Sequence, residues 1–168
     1  MNSIHYLLLA LVAVVALMLH FFNPRRRRED CHNEASTVGT HATGIVSLAA
    51  EALPASRYIL VAKGTGDSQF IVNIATTRPL GVCLDEPSVI GNKAAVALLG
   101  CTPGTLKLRA NAAVTVGQML YTAAAGKVSP TYGATLFLVG RALTPAAADG
   151  DLVEVAHCFP MINAVNTL

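Results

Sequence analysis

Three groups of residues in this chain have types suited to chemistry. Cys31-His32, His41 and His157-Cys158 offer thiolates and imidazoles, the ligands that zinc takes, from an N-terminal stretch and a distant strand end. Their spacing matches no finger or ribbon, so the expectation is a solvated arm and a half-buried strand end, with no metal. Asp85-Glu86 and Asp149 with Asp151, expected at equivalent positions of an internal repeat, set carboxylates beside turns, where loop oxygens can hold calcium loosely; acidic turn residues are ordinarily just solvated. Gly64-Thr65-Gly66 is glycine-rich but lacks the Lys and the following helix of a phosphate-binding loop. There is no G-x-S-x-G elbow, and no nucleophile is spaced with a base. These residues point to a protein that is not an enzyme and takes no cofactor.

The elements that carry them are built from small aliphatic residues. The chain has 168 residues, 13% charged and 5% aromatic, with 13 Gly and no Trp, so Ala, Val, Leu and Ile must fill the core. That length suits one folded domain and an extension. The formal charge is +2, but Arg25 to Arg28 form one block, and from Cys31 onward eight basic residues meet eight acidic ones. A face that neutralises phosphates needs a basic surplus, which the domain lacks, so nucleic acid is not an expected partner. The four cysteines are widely spaced and read as reduced; Cys83 and Cys101 lie in apolar runs, where cysteine acts as a small hydrophobe.

Residues 1–29 divide into an apolar run and its basic flank. Tyr6 to Phe22 contains one polar residue, His20, and as a helix would span about 26 Å at 1.5 Å per residue, just short of a ~30 Å hydrocarbon core. Asn23-Pro24 ends it. The positive charge follows the apolar run, unlike a secretory signal, and would hold the domain on the cytoplasmic side of a membrane. Three readings stay open: a membrane anchor, a helix packed within an assembly, and a start codon placed too far upstream.

From residue 30 the pattern changes. Asp30 to Gly44 is polar and rich in Gly and Thr, too poor in hydrophobes to fold alone, and reads as an extended arm. Beyond it, short apolar runs are punctuated by Gly, Pro, Asp and Asn about every ten residues, the signature of an all-β barrel or sandwich. Strands are expected at Thr43–Leu48, Tyr58–Lys63, Phe70–Ile74, Leu80–Leu84, Ala94–Leu99, Thr105–Ala110, Met119–Thr122, Leu136–Leu143 and Leu152–His157. Several are apolar throughout, which implies cover on both faces. The domain is expected over 45–160, with a tail at 161–168.

The sequence also repeats weakly. Gly81 and Gly140, Leu84 and Leu143, Gly91 and Gly150, and Val96 and Val155 all recur at one offset, 59 positions, and upstream Leu53–Leu60 matches Val114–Tyr121 at 61. Gly81, Gly91, Gly140 and Gly150 are expected at structural turns, where glycine permits positive φ or a sharp reversal. The apolar residues of both copies are expected to fill one shared core.

The strings ALPASRYILV, RPLGVCLDEP, GNKAAVALLG, VTVGQMLYTAAAGKVSP and LVGRALTPAAADGDLVEVAHCFP together resemble the small capsid decoration, or cement, proteins of tailed phages. The resemblance covers about three quarters of the chain. It implies a compact barrel-like β-domain on the outside of an assembled shell, often trimeric, with the major capsid protein as partner. It also implies an N-terminal arm that adds a strand to a capsid sheet; the arm's candidate residues are Asp30, Asn33, Ser36, Thr37, Val38, Thr40 and Thr43. The apolar segment lies outside the pattern. A membrane-anchored β-module facing the cytoplasm, tethered by Tyr6 to Phe22 and recognising a protein partner, is the alternative.

Overall fold

The computed structural model describes residues 43–162. The expected apolar helix, its Arg flank and all of the arm except its last two residues lie outside them. Ten strands follow in order: β1 Ile45–Ala50, β2 Ile59–Lys63, β3 Gln69–Val72, β4 Gly81–Cys83, β5 Lys93–Leu98, β6 Leu106–Arg109, β7 Met119–Thr122, β8 Val128–Ser129, β9 Phe137–Ala142 and β10 Leu152–Ile162. No α-helix occurs among the described residues, and none there is long and apolar enough to cross a membrane.

The first five strands close a barrel in the order β1-β3-β2-β4-β5. Strand β1 completes it by lying antiparallel to β5 on one side and parallel to β3 on the other. The second five form a curled sheet ordered β6-β10-β9-β7-β8. Its remaining seam is spanned by one parallel bridge between Ala110 and Val128. That bridge is the counterpart of Ala50 against Phe70 in the β1–β3 pair, so the two halves share one topology.

The duplication reaches individual hydrogen bonds. Gly91 N–H donates to Ala50 C=O at 2.8 Å, and Gly150 N–H to Ala110 C=O at 2.8 Å. Leu84 N–H donates to Ala95 C=O and Leu143 N–H to Glu154 C=O. Cys83 faces Val96, and Ala142 faces Val155. The upstream offset of 61 needs correction: Val61 faces Gly81 and Leu120 faces Gly140, so β2 matches β7 at 59. A slip of two residues leaves every side chain on its original face, so hydrophobic alternation cannot detect it.

The single shared core is corrected as well. Ala50, Val61, Phe70, Cys83, Ala94 and Val96 line the first barrel as one cluster. Their counterparts Ala110, Leu120, Val128, Ala142, Val153 and Val155 belong to another. Because neighbours along a strand point to opposite faces, the alternate residues of the first barrel, Leu60, Val82 and Ala97, look outward and join the second cluster. This is why β4 and all of β2 before Lys63 are apolar: one face fills a barrel and the other packs on the next unit. Tyr58 sits at that joint with φ +66, an uncommon conformation for a bulky residue. Its N–H donates to Cys83 C=O in the first unit, and its C=O accepts from Arg109 N–H in the second.

Strand β8 is unforeseen, being two residues long. Strand β10 outruns both its expected end at His157 and the domain boundary at 160. It passes through Pro160, which has no N–H to give a ladder, and the β9–β10 register shifts between His157 and Met161 to accommodate it.

Candidate functional site

Among the described residues, most of the groups that offered chemistry are engaged within the protein itself. Glu51 reaches across to the Gly64-Thr65-Gly66 turn and accepts from Thr65 N–H at 2.7 Å and Thr65 Oγ1 at 3.1 Å. A carboxylate thus fills the place a phosphate would need. Asp85 accepts from Ala95 N–H at 2.7 Å, and its counterpart in the second copy is not acidic: Thr144 Oγ1 accepts from Glu154 N–H at 2.8 Å. A hydroxyl serving equally well identifies both as turn acceptors. Asp151 accepts from the N–H groups of Ala147 and Ala148, and Asp149 pairs with Lys127 Nζ at 2.8 Å.

Cys31, His32 and His41 lie outside the described residues. Among those described, no group of three or more His, Cys, Asp or Glu is placed to hold a metal ion. His157 Nδ1 accepts from Gly100 N–H at 3.0 Å, while its Nε2 is buried without a hydrogen-bond partner. Burial lowers the His157 pKa, disfavouring the charged ring. Burial also pushes the Cys83 and Cys158 thiols up, away from the thiolate that nucleophilic chemistry requires.

The expected turn residues separate into two kinds. Gly91 and Gly150 have φ +89 and +88, with open space where a Cβ would stand. Gly81 and Gly140 are not at turns; they lie inside β4 and β9. Of the expected arm residues, only Thr43 is described, exposed in a turn; Asp30, Asn33, Ser36, Thr37, Val38 and Thr40 lie outside. Gly44, placed at the end of the arm, is part of the barrel. Its C=O accepts from Leu98 N–H and Thr102 Oγ1, and a Cβ there would meet Thr102 N at 2.6 Å.

What remains is surface. Val89 and Ile90 stand exposed at the β4–β5 tip, and Phe159, Met161 and Ile162 along the end of β10. The sequence reading passed over the second group because it follows the last repeat anchor. That position was itself a signal, since no matching apolar stretch follows the first copy at Gly100.

A family model described as phage cement protein matches residues 39–157. Among solved structures, the N base of head fiber gp8.5 of bacteriophage phi29 is similar in fold, with a TM-score of 0.55 at 20% identity, over 70% of this chain and 96% of that one. No curated protein matches the sequence. With the family model covering well over half of its length, this chain belongs to the phage cement protein family, a family of virion structural proteins.

Proposed function

We propose that the protein binds the outer surface of a phage capsid, contacts the major capsid protein and stabilises the shell, working as a homotrimer. The observation that carries this reading is the family match over 39–157, which spans the first barrel and the second sheet as far as His157, about midway along β10. A partner that binds only the assembled shell stabilises it by mass action, with no chemical step. The internal engagement of the carboxylates and of His157 Nδ1 fits such a role.

Attachment runs through the arm. Residues Asp30, Asn33, Ser36, Thr37, Val38, Thr40 and Thr43 precede β1 and would add a strand to a capsid sheet edge, where main-chain hydrogen bonds supply affinity. Because Gly44 is built into the barrel, the test removes residues 30–42 only. Co-sedimentation with purified capsids that lack this protein should show full-length chain in the pellet and the arm-deleted chain in the supernatant, with equal melting temperatures. Full binding by the deleted chain would remove the arm from the mechanism, and failure of the full-length chain to pellet would remove the capsid reading. The domain's zero net charge beyond residue 30 gives little long-range attraction, so attachment should persist as salt is raised.

A further inference from the structure

The repeat accounts for nearly every strand, and its one surplus is informative. In the first copy the chain turns away after β5 at Gly100, with φ +76. In the second, β10 runs on through Cys158, Phe159, Pro160 and Met161 to Ile162. There Met161 and Ile162 pair with Leu138 and Phe137 at the start of β9. The first-copy counterparts of Phe137 and Leu138 are Arg78 and Pro79, which belong to no strand. The result is a ribbon extending the β9–β10 pair, with Leu138 also facing Tyr121 of β7, where the first copy closes its barrel without one.

The ribbon is apolar and, among the described residues, exposed. Phe159, Met161 and Ile162 are 58%, 59% and 58% exposed. Folding does not explain large exposed hydrophobes at Phe159, Met161 and Ile162, on either side of the buried Pro160, on an element the repeat does not require. Scattered exposed hydrophobes are ordinary, but contiguous ones mark a contact surface. The ribbon is also held in place: a Cβ on Gly100 would lie 2.9 Å from Phe159 Cα, so only glycine lets the turn of the first copy pack beneath it. Beside it lies a groove of about 300 Å³ lined by Lys63, Arg78, Pro79, Leu80, Leu99 and Phe159, among others. A second groove, along Phe137, Met161 and Ile162, shares Arg78.

Charge fixes the kind of partner. Lys63 and Arg78 are the charged residues lining the grooves, both are cations, and no carboxylate joins them. The guanidinium of Arg78 lies over the Phe159 ring at 4.8 Å, and Arg78 enters no ion pair among the described residues. Stacking on the ring leaves the edge of the planar guanidinium, with its N–H donors, able to meet a carboxylate.

We infer that this ribbon, with Arg78 and Phe159 at its centre, is a second docking surface for the capsid exterior, one that takes a capsid carboxylate set beside apolar side chains. This rests on the capsid-binding reading above and adds to it a contact independent of the arm. An Arg–carboxylate contact enclosed by apolar groups is screened much less than an exposed one, so it remains compatible with binding that resists salt.

The test is co-sedimentation of full-length protein with purified capsids that lack it, comparing wild type with Phe159→Ser, Met161→Ser and Arg78→Glu, and with the melting temperature of each variant measured alone. Phe159→Ser and Arg78→Glu should each weaken binding at least roughly tenfold, as expected for a central contact residue. Met161→Ser, a change at an exposed site that leaves Arg78 in place, should weaken it less while melting like the parent. If wild type pellets and all three variants pellet equally well, the ribbon is not a docking surface and the arm-based reading stands. If wild type itself stays in the supernatant, both readings fall.

Discussion

Gly81 and Gly140 meet the same obstacle: a Cβ on either would lie 2.4 Å from a carbonyl oxygen, that of Ala97 in one barrel and that of Ala156 in the other. Each would also stand 2.8 Å from the Cγ1 of the equivalent valine, Val96 or Val155. Two glycines 59 positions apart thus let the neighbouring strand approach closely in both units. Backbone cannot yield as a flexible side-chain end can. Gly81→Ala and Gly140→Ala should therefore each destabilise by roughly 1–3 kcal/mol, the usual range for overpacking. Gly91→Ala meets nothing within 4 Å and bears only the cost of its positive φ, about 1–2 kcal/mol. Urea unfolding of the variants would rank them; a Gly81 variant as stable as the parent would show that the ladder can relax.

Val96 and Val155 are fully buried, in different clusters. Val96→Asp and Val155→Asp each place an unpaired carboxylate in an apolar interior and should cost several kcal/mol, enough to abolish the cooperative transition. Since the two interiors are separate, the conservative Val96→Ala and Val155→Ala should be nearly additive in combination. A strongly non-additive double variant would mean that the barrel and the curled sheet share one core after all.

His157 makes the domain sensitive to acid. Burial lowers its pKa in the folded state, so below the ordinary value near 6.5 the unfolded chain binds the proton more readily. Its contribution is fully present above that pH and is lost as pH falls through the folded value. Protonation would also set an Nδ1–H against the Gly100 N–H that Nδ1 now accepts. The ring is only partly buried, so the effect is modest. The measurement is unfolding free energy between pH 8 and pH 5, where His157→Gln should flatten part of the decline. An unchanged slope in that variant would assign the decline to other groups.

A chain beginning at Glu34 should fold, because every described strand and both core clusters lie beyond it. Circular dichroism should show β-structure and a cooperative melt, and a random-coil spectrum would mean that residues 1–33 complete the domain.

Much of this architecture was legible in the sequence, for identifiable reasons. Nine of the ten strands are short stretches rich in apolar residues and bounded by turn residues, and the turns at Gly91 and Gly150 recur at one spacing. Strand β8 escaped because two residues, Val128 and Ser129, show no period. The in-strand glycines were taken for turn residues because close approach and positive φ both select glycine, and only coordinates separate them. Two interiors were read as one because apolar content says that both faces of β2 are covered, not by what. The ribbon at Phe159 was missed because five apolar residues in six after a repeat resemble the frayed end of a strand.

Strand β1 has a mechanical consequence. It is the strand the arm enters, and it is held on both edges, by β5 from Ile45↔Ala97 to Ala49↔Lys93 and by β3 at Ala49 and Ala50. Tension applied through the arm along the strand would shear both ladders at once, loading their hydrogen bonds together instead of peeling them one at a time. If the arm grips a shell as proposed, a shell that swelled or shook would pull against a strand held along both edges, and opening the first barrel would require both ladders to give at once.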